Sequence, residues 1–596
     1  MLVPKSPLDS VIPRDTTTQA TSKTDSAALR RKRLAADTIK SPLARAERPT
    51  NLDGRWDWSG EDLRSAGATT LADLLDRIPG VTSFRANWIP APQFLAYNGD
   101  LRRVRVFLDG MEVDPIDPRN GGVLDLALMP LWQLEEVSVE RSAGELRVHL
   151  RTWRVDHTTP FTRTDITSGS ENTNLYRGYF GRRMHNGGAI QLAAQQYSTA
   201  SQRTGGDGSS LQVFGRIGWA NKRWSVDGTW NRAGIDRNAT ARYPLDRALL
   251  QANGVAPFKG TLGSAYGRVA WGDPDAKSAP WVQFIAATQS VAENSKVSAT
   301  AALSTPTPTV KDTVDTASSR SQYVIAAGAS RWGMDASVTG RLRAGHGRTD
   351  LSPSARVGYT RSWVSLTAYA ESRGSDSTRR LDMTGRVAPW RRLVIDGAVG
   401  RYTPAAVSAG GPAFTVSRLE VSTVLRGITL SGGAVSRGVT MLGAPVALDS
   451  TLVPVLTGQS RGVLFGMRGA IYKDLGVDIG GTWWDDSGAY RPRRDVHVSL
   501  KLDSSWPGKF RRGNFHVLAE ARYDHRSPMF FPTAAGAAGA MSSPLDLISA
   551  RVEFRISTGT AFIQFSNPVG KVIYLAPGYM LPRNLSYYGL RWNFWN

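Results

Sequence analysis

Alternation of apolar and polar residues at every second position constrains this chain more than any other feature. It begins near residue 157 and continues to the C-terminus of the 596-residue sequence. The stretch "MDASVTGRL" is typical, with one face made of Met334, Ala336, Val338 and Leu342. The stretches "LGVDIGGTW" and "SYYGLRWNFWN" repeat the pattern. Successive side chains of a strand point to opposite faces, so each segment predicts a strand with one apolar and one polar face.

The predicted strands are joined alternately by very short and by long connections. The short links are Asn221-Lys222, Trp332-Gly333, Arg361-Ser362, Trp390-Arg391, Arg426-Gly427 and Tyr472-Lys473-Asp474. The long ones include 235–261, 292–317, 439–457, 527–543 and 568–583. Counting strand pairs predicts an all-β transmembrane barrel of about 22 antiparallel strands, with short periplasmic turns and long outer loops.

Other architectures fit the pattern less well. The sequence has no run of about 18 apolar residues, which a membrane-spanning helix requires. A soluble propeller would repeat a motif every 40–50 residues or so, and none is found. The aromatic residues near strand ends and tight turns favour a membrane girdle, namely Trp332, Trp363, Trp390, Tyr472 and Trp592.

The N-terminal part has a different residue composition and lacks the regular alternation. Residues 1–55 are poor in aromatic residues, which predicts a disordered periplasmic tether. Residues 56–153 predict a small α/β domain, and residues 154–596 predict the barrel. The first fifteen residues lack the apolar segment of a secretory signal. The alternatives are a removed signal, a different start, or a chain that is not exported.

Two local motifs define the predicted core of the α/β domain. "ATTLADLLDRIPGV" predicts a short helix with Thr70 as N-cap and a stop at Pro79-Gly80. "RVRVFLDGMEV" predicts a β-hairpin around Asp109-Gly110, with Arg103, Arg105 and Phe107 alternating with the core positions. The predicted core residues are Leu71, Leu74, Leu75, Ile78, Val104, Val106 and Leu108, with Asp109 and Gly110 at the turn.

Composition and motifs argue against several kinds of chemistry. The chain contains no cysteine, which excludes disulfides and thiolate metal sites. Its formal charge of +22 is spread along the sequence without a nucleic-acid-binding signature, so we expect no nucleic-acid partner. A basic lumen or contact with anionic lipid explains the excess equally well. Neither a phosphate-binding loop nor a nucleophile elbow occurs, and we predict no enzyme and no cofactor.

Two short acidic stretches are candidate cation sites. "YDHR" at 523–526 places Asp524 beside His525 but offers no third ligand at metal spacing. Asp485-Asp486 would suit a cation or an iron chelate at an outer loop, although a solvated turn is the commoner use of such a pair. We predict no metal site.

The order tether, small α/β unit and large barrel resembles the TonB-dependent outer-membrane receptors. "TLADLLDRIPGV" resembles the first plug helix of that family, "VRVFLDGMEV" its hairpin, and "LDLALMPLWQLEEVSVERSAG" the segment that follows. These matches cover roughly residues 70 to 144. Members usually continue into a longer glycine-rich stretch, whereas "SAGELRVHLRTW" runs almost directly into the barrel. The resemblance therefore implies a plug domain, and a short one.

The resemblance also implies a site for the periplasmic transducer. The family pairs a short extended segment of its tether with a strand of that transducer by β-augmentation. The candidate here is Asp37, Thr38, Ile39, Lys40 and Ser41, followed by Pro42. A random linker hexamer is the alternative.

Charged residues on the barrel strands have a predictable direction. If the apolar faces meet lipid, then Arg341, Arg468 and Arg591 must point into the lumen, because an arginine facing mid-membrane lipid costs about 2–4 kcal/mol. Such arginines would attract anionic substrates such as ferric chelates. They would equally serve as salt-bridge partners between barrel and plug.

The expected function is uptake across the bacterial outer membrane. The substrate would be too large for diffusion, of the ferric chelate, cobalamin or glycan type, and a TonB-like transducer would supply energy. Outer-membrane lipid and lipopolysaccharide are the other expected partners. The alternatives are a passive porin-like barrel and a surface-binding barrel, both without energy coupling.

Overall fold

The structure is a computed structural model. It describes residues 56–85, 91–200, 207–240, 255–272, 280–293, 317–345, 348–374, 378–390, 392–404, 412–505, 514–534 and 539–595.

The N-terminal domain is an α/β unit of seven strands and two short helices. Its strands are β1 (Asp57–Ser59), β2 (Val81–Arg85), β3 (Gln93–Tyr97), β4 (Val104–Leu108), β5 (Met111–Glu112), β6 (Leu134–Arg141) and β7 (Leu146–Thr152). Its helices are α1 (Gly60–Ser65) and α2 (Leu71–Leu75). Five strands form a sheet in the order β1-β6-β7-β4-β5, and β2 pairs with β3. Short 3₁₀ turns cover Leu101–Arg103, Pro118–Asn120, Leu126–Leu128 and Leu131–Gln133.

Helix α2 begins where the sequence predicts it. The Thr70 side chain accepts a hydrogen bond from the Asp73 backbone N–H, and the Asp73 carboxylate accepts one from the Thr70 backbone N–H. This reciprocal arrangement satisfies two donors that a helix start leaves free. The helix ends at Leu75 with Asp76 as its C-cap, earlier than the predicted stop at Pro79-Gly80. Gly80, at φ +86°, lies in the left-handed region and turns the chain into β2.

The remaining residues form a closed barrel of 22 antiparallel strands, which confirms the predicted count. The strands are β8 (Phe161–Gly169), β9 (Thr173–Arg183), β10 (Gly188–Thr199), β11 (Gly208–Ala220), β12 (Trp224–Arg237), β13 (Phe258–Trp271), β14 (Pro280–Glu293), β15 (Ala317–Arg331), β16 (Met334–Gly345), β17 (Arg348–Thr360), β18 (Val364–Ser372), β19 (Arg379–Trp390), β20 (Leu393–Thr403), β21 (Phe414–Leu425), β22 (Ile428–Arg437), β25 (Ser460–Tyr472), β26 (Leu475–Trp484), β27 (Arg494–Ser504), β28 (Phe515–Arg526), β31 (Leu545–Ile556), β32 (Gly559–Ser566) and β35 (Leu585–Trp595). The barrel closes where β35 pairs with β8, from Tyr587 opposite Gly169 to Trp595 opposite Phe161.

Three small hairpins lie in the outer loops and complete the numbering. They are β23 (Thr440–Leu442) with β24 (Val455–Thr457), β29 (Phe530–Phe531) with β30 (Ala540–Met541), and β33 (Tyr574–Ala576) with β34 (Tyr579–Met580).

The outer surface of the barrel carries the predicted apolar face. Met334, Val338 and Leu342 of β16 are exposed, whereas Arg341 between them is 1% exposed. Strand β35 repeats this with Tyr588, Leu590, Trp592 and Phe594, all exposed. Large apolar side chains are exposed on strand after strand around the barrel, which is the surface that a lipid bilayer requires. Among the described residues, no helix is both long and apolar enough to cross a membrane.

The connections follow the predicted alternation except at two links, β8–β9 and β16–β17, the latter being only residues 346–347. Trp332-Gly333 and Arg426-Gly427 each adopt positive φ at both positions, as two-residue hairpin turns require. Loops at the opposite end are mostly long, but β8 and β9 are joined by residues 170–172 alone. Glu171 and Asn172 both adopt positive φ there, so a tight turn is sufficient.

Candidate functional site at the interface of plug and barrel

The predicted hairpin turn is attached to the barrel wall. Asp109 and Gly110 have φ of +49° and +91°, the geometry predicted for the turn. The Asp109 carboxylate is buried and accepts a hydrogen bond of 2.8 Å from the hydroxyl of Tyr266 on β13. It also accepts one of 3.2 Å from the Thr152 backbone N–H. The turn therefore connects β7 of the plug to the barrel.

A buried arginine on the same hairpin is the centre of the interface. Arg105 donates from Nε to Glu112 at 2.7 Å, and it donates to both oxygens of Glu371 on β18 at 2.6 and 2.9 Å. A third carboxylate, Glu145, lies 3.4 Å away. The side chain of Arg105 is 2% exposed. Plug and barrel thus share one guanidinium through paired hydrogen bonds, the strongest form of this interaction.

Further arginines of the barrel converge on the same plug carboxylates. Arg341 lies 3.2 Å from Glu112, and Arg343 pairs with Glu112 and, at 3.0 Å, with Asp114. Arg380 of β19 pairs with Glu145. We call this set the latch network, defined by Arg105, Glu112, Asp114, Glu145, Arg341, Arg343, Glu371 and Arg380.

Electrostatics keep Glu112 and Arg105 charged despite their burial. Burial alone would raise the pKa of Glu112, but Arg105, Arg343 and Arg341 hold that pKa well below its usual range. Burial likewise opposes the charge of Arg105, yet Glu112 and Glu371 raise its pKa well above the usual value. A buried charge that loses its partner costs several kcal/mol. The network therefore resists piecemeal disruption.

Contacts between plug and wall reach strands all around the barrel. Hydrogen bonds and ion pairs connect the plug to Tyr179, Gln212, Asn231, Tyr266, Gln289, Gln322, Arg341, Glu371, Arg380, Tyr402, Arg437, Arg526, Arg551 and Gln564. Gly144 shows how closely the two parts approach. A Cβ at this position would lie 2.4 Å from the Tyr402 ring.

The outer end of the plug is covered by loops. Phe84, Phe94 and Leu101 form one apolar cluster with residues of the outer loops, including Tyr490 and Phe531. The Phe531 ring is 0% exposed and meets the Phe84 ring edge-on at 5.9 Å. We call these loop residues, within 438–459, 485–493, 527–544 and 567–584, the outer cover. The plug apex at 94–101 consequently lies beneath protein.

The residues predicted for the plug core lie where one cluster forms. Leu71, Leu74, Leu75, Ile78, Val104 and Val106 are buried in a single apolar cluster, and Leu108 packs at its edge.

The three predicted lumen arginines lie on the inner faces of their strands. Arg341 reaches the latch network. Arg468 of β25 is half exposed and lies 3.6 Å from Asp478, and Arg591 of β35 lies 3.8 Å from Asp165. Within the described residues, the structure thus shows one of the three in contact with the plug's carboxylates.

The predicted transducer segment cannot be placed relative to the interface, because Asp37, Thr38, Ile39, Lys40 and Ser41 lie outside the described residues. Asp486 pairs with Arg491, and the Asp546 carboxylate accepts from Tyr523 at 2.8 Å and lies 2.8 Å from His525. The described ranges contain no group of three or more residues suited to hold a metal ion.

Sequence reasoning missed most of the latch network. Arg105 was noted only as the polar alternate of two core valines, and Glu112, Glu145, Glu371, Arg343 and Arg380 were not singled out. One signal was present, namely a hairpin whose polar face carries arginines rather than small or neutral residues. That face meets the barrel wall instead of solvent.

Comparison with known proteins agrees with this geometry. Residues 56–148 match the TonB-dependent Receptor Plug Domain family. No curated protein sequence matches the chain. Solved structures with the same fold include the siderophore receptor PirA from Acinetobacter baumannii (TM-score 0.64, 11% identity, 90% of this chain and 98% of that chain). They also include a ferric enterobactin receptor PfeA mutant from Pseudomonas aeruginosa (0.67, 11%, 93% and 100%) and the FrpB iron transporter from Neisseria meningitidis (0.67, 10%, 91% and 99%).

Fold and interface define the class of this protein as a plugged 22-stranded barrel of the bacterial outer membrane. Residues 56–148, which lie inside that barrel, belong to the TonB-dependent Receptor Plug Domain family, and the solved structures show the same fold for the whole chain.

Proposed function

We propose that the protein imports a substrate too large to diffuse through a pore, and that a TonB-like transducer supplies the energy through the N-terminal tether. The plug obstructs the lumen, so passage requires that the plug move or rearrange. The substrate would first meet the outer cover, which must open before the plug is reached. The names of the structural neighbours make ferric chelates the first substrates to test, before cobalamin and glycans.

One observation carries this proposal, namely the ring of polar contacts between plug and barrel wall. When the plug begins to move against the wall, the ion pairs of the latch network separate before water reaches them, and each buried charge without its partner costs about 3–5 kcal/mol. Spontaneous opening would therefore be rare. An external pull on the chain that precedes the plug is the natural source of the missing energy.

A passive porin-like barrel is the competing function. It needs an unobstructed lumen, whereas this lumen holds buried charges and close apolar packing around the plug. The contacts therefore favour an energised transporter.

The deciding experiment measures uptake after a deletion in the tether. Cells expressing the full-length protein should accumulate radiolabelled ferric chelate, and deletion of residues 37–42 should abolish accumulation while the barrel still folds. Deletion of residues 17–22, of equal length in the same tether, is the matched control and should leave uptake intact. Equal uptake by both deletion variants would contradict energy coupling through this segment.

A pull-down with the periplasmic transducer domain tests the contact itself. The wild-type protein and the 17–22 deletion should bind that domain, and the 37–42 deletion should not. Binding of a ferric chelate without accumulation in cells would instead support a surface-binding barrel.

A further inference from the structure

Two adjoining cavities lie between the plug and one sector of the barrel wall. Their volumes are about 260 and about 110 Å³. They share the lining residues Thr69, Leu131, Trp132, Leu175 and Arg177. Because the two share one wall, we treat them as an outer and an inner lobe of a single space, which we call the side chamber. Neither lobe includes residues of the latch network.

The larger, outer lobe has a mainly apolar surface, and its charged lining residues besides Arg177 are two carboxylates and two arginines, namely Asp117, Asp125, Arg119 and Arg237. Its walls include Met129 and Leu126 of the plug and Ile235, Phe258 and Leu262 of the barrel. Small-molecule sites are typically apolar clefts of roughly 300–1,000 Å³ with a few polar groups that orient the ligand. The outer lobe approaches that size and suits an aromatic or aliphatic body.

The inner lobe is strongly cationic. Five arginines line it, namely Arg64, Arg163, Arg177, Arg551 and Arg591, against one carboxylate, Asp165. That carboxylate is shared, since it lies 3.3 Å from Arg163 and 3.8 Å from Arg591. Burial and then the nearby charge of Arg163 lower the pKa of Arg64, which shows how crowded the cations are. Two further carboxylates pair with these arginines, since Glu553 accepts a hydrogen bond of 2.7 Å from Arg551 and Glu61 lies 3.7 Å from Arg64. Five arginines therefore face three carboxylates, which leaves the lobe with a positive surplus.

Arg177 is the cation best placed to meet a ligand. It lines both lobes, and its Nε donates a hydrogen bond of 2.7 Å to the Gln195 side chain. Asp165 lies opposite Arg177 in the register of β8 and β9, but within the described residues no ion pair of 4 Å or less joins Arg177 to a carboxylate. The planar fork of a guanidinium matches a carboxylate with two parallel hydrogen bonds.

We propose that the side chamber binds a small organic anion, with its carboxylate on Arg177 and its apolar or aromatic body in the outer lobe. The inference deepens the proposed function and rests on it for the ligand's role, because it assigns a substrate class to a space beside the plug. The apolar body would be shielded from water by Trp132 and Leu175, which border both lobes. The surplus arginines of the inner lobe would lower the cost of bringing a negative charge into a buried space.

The test is calorimetric titration of the detergent-folded full chain with benzoate and with benzamide. These probes share one ring and differ in charge. Benzoate should bind saturably. Benzamide should bind at least about tenfold more weakly, because it lacks the negative charge that strengthens a hydrogen bond from Arg177. Equal affinity for the two probes would overturn the proposal. Inorganic phosphate is the third probe, and binding as tight as that of benzoate would overturn the role of the apolar lobe.

Variants locate the binding within the chamber. Arg177→Gln should weaken benzoate binding about tenfold, and Arg177→Lys should restore part of the loss. Arg182→Gln is the matched control, because Arg182 is exposed on the same strand β9. Unchanged benzoate affinity in Arg177→Gln would overturn the proposal. A far-UV circular dichroism spectrum of Arg177→Gln that matches the wild-type chain shows that its loss of binding is not misfolding.

The two proposals fail in different ways. Benzoate binding needs no transducer, so the 37–42 deletion should bind benzoate like the wild-type chain. Binding without uptake of any anionic substrate would contradict the transport function and leave the chamber standing. Uptake of a ferric chelate without benzoate binding would contradict the chamber alone.

Discussion

At the scale of single residues, the interface depends on charges that are buried and fully paired. Arg105 is held by Glu112 and Glu371, one from each part of the molecule. A paired buried charge adds little net stability, but removing one partner leaves an uncompensated charge in a medium that solvates it poorly. Single substitutions in the latch network should therefore lower the stability of the plug strongly, and matched double substitutions should lower it only weakly.

Arg105→Met tests this asymmetry. The variant leaves Glu371 without its closest partner, so the free energy of plug unfolding should fall by about 3–5 kcal/mol. Urea titration monitored by tryptophan fluorescence measures the loss. The double variant Arg105→Met/Glu371→Leu removes the stranded carboxylate and should regain most of the stability. A double variant as unstable as the single one would contradict the explanation.

Asp125 makes the stability of the plug depend on pH. Burial raises the pKa of this carboxyl from 3.8 to about 6, although it accepts hydrogen bonds from the backbone N–H groups of Gln93 and Ala127, each at 2.9 Å. Because the folded state holds this proton more tightly than the unfolded state, stability should fall as pH rises from about 4 to about 6 and stay level above.

Asp125→Asn should remove that part of the pH dependence. The amide oxygen accepts the same two hydrogen bonds without ionising, so the variant should gain up to about 3 kcal/mol at pH 7.5 and nothing below about pH 4. Infrared spectra should show a protonated carboxyl band near pH 5 in the wild-type protein that is missing in the variant. Identical spectra would contradict the assignment.

The alternation of residue types predicts to which face of a strand a side chain points, but it does not predict what the side chain contacts there. Alternation predicts that Arg341 and Arg591 point away from the apolar faces, because strand geometry fixes that relation. It gave no information on partners. Whether Arg105 meets water or Glu371 depends on a strand more than 260 residues away in sequence, and local pattern carries no record of such pairing.

At the scale of elements, the outer cover is a second apolar core built from loops. Phe531 is its best-packed ring, since it meets Phe84 at 5.9 Å and Tyr490 at 5.6 Å, both edge-on. Composition predicted these loops only as long and loose. Their clustering depends on contacts among four loops and the plug, which no single segment reveals.

Phe531→Ala should loosen the outer cover without unfolding the barrel. Truncating a fully buried phenylalanine costs about 3–5 kcal/mol, which here would be lost from loop docking. Hydrogen exchange of the backbone amides in 539–545 should therefore become faster. Phe530→Ala, at a neighbouring side chain that is 39% exposed, is the control and should change exchange little. Equal effects of the two variants would contradict the packing role of Phe531.

The residue types in the short turns explain why some strand boundaries could be predicted from the sequence. Short links such as Arg426-Gly427 carry a residue pair that accepts positive φ, and the structure places the turn there. The link between β8 and β9 was missed, because Glu171 and Asn172 in "GSENT" do not form a common turn signature.

At the scale of the whole molecule, the fold was the easiest feature to predict, and the closed state of the outer cover was the hardest. A 22-stranded barrel leaves its periodicity in some 440 residues, whereas the closed outer cover depends on a few dozen loop residues. The structure shows the plug latched from the side and covered from outside. Under the proposed function, import would need two separations, one between plug and wall and one between plug and cover.

A disulfide between plug and cover tests the second separation. A Cβ placed on Gly121 of the plug would lie 3.8 Å from the Cβ of Val446 in the outer cover, the usual spacing for a disulfide, and the native chain has no cysteine to compete. Gly121→Cys/Val446→Cys should therefore lose uptake when oxidised and regain it after reduction. The control Met184→Cys/Gly188→Cys joins two residues of one barrel hairpin at 3.9 Å and should transport in both redox states. Full uptake by the oxidised plug–cover variant would mean that the substrate passes while this contact stays closed, and the path would then have to run along the wall, through the side chamber.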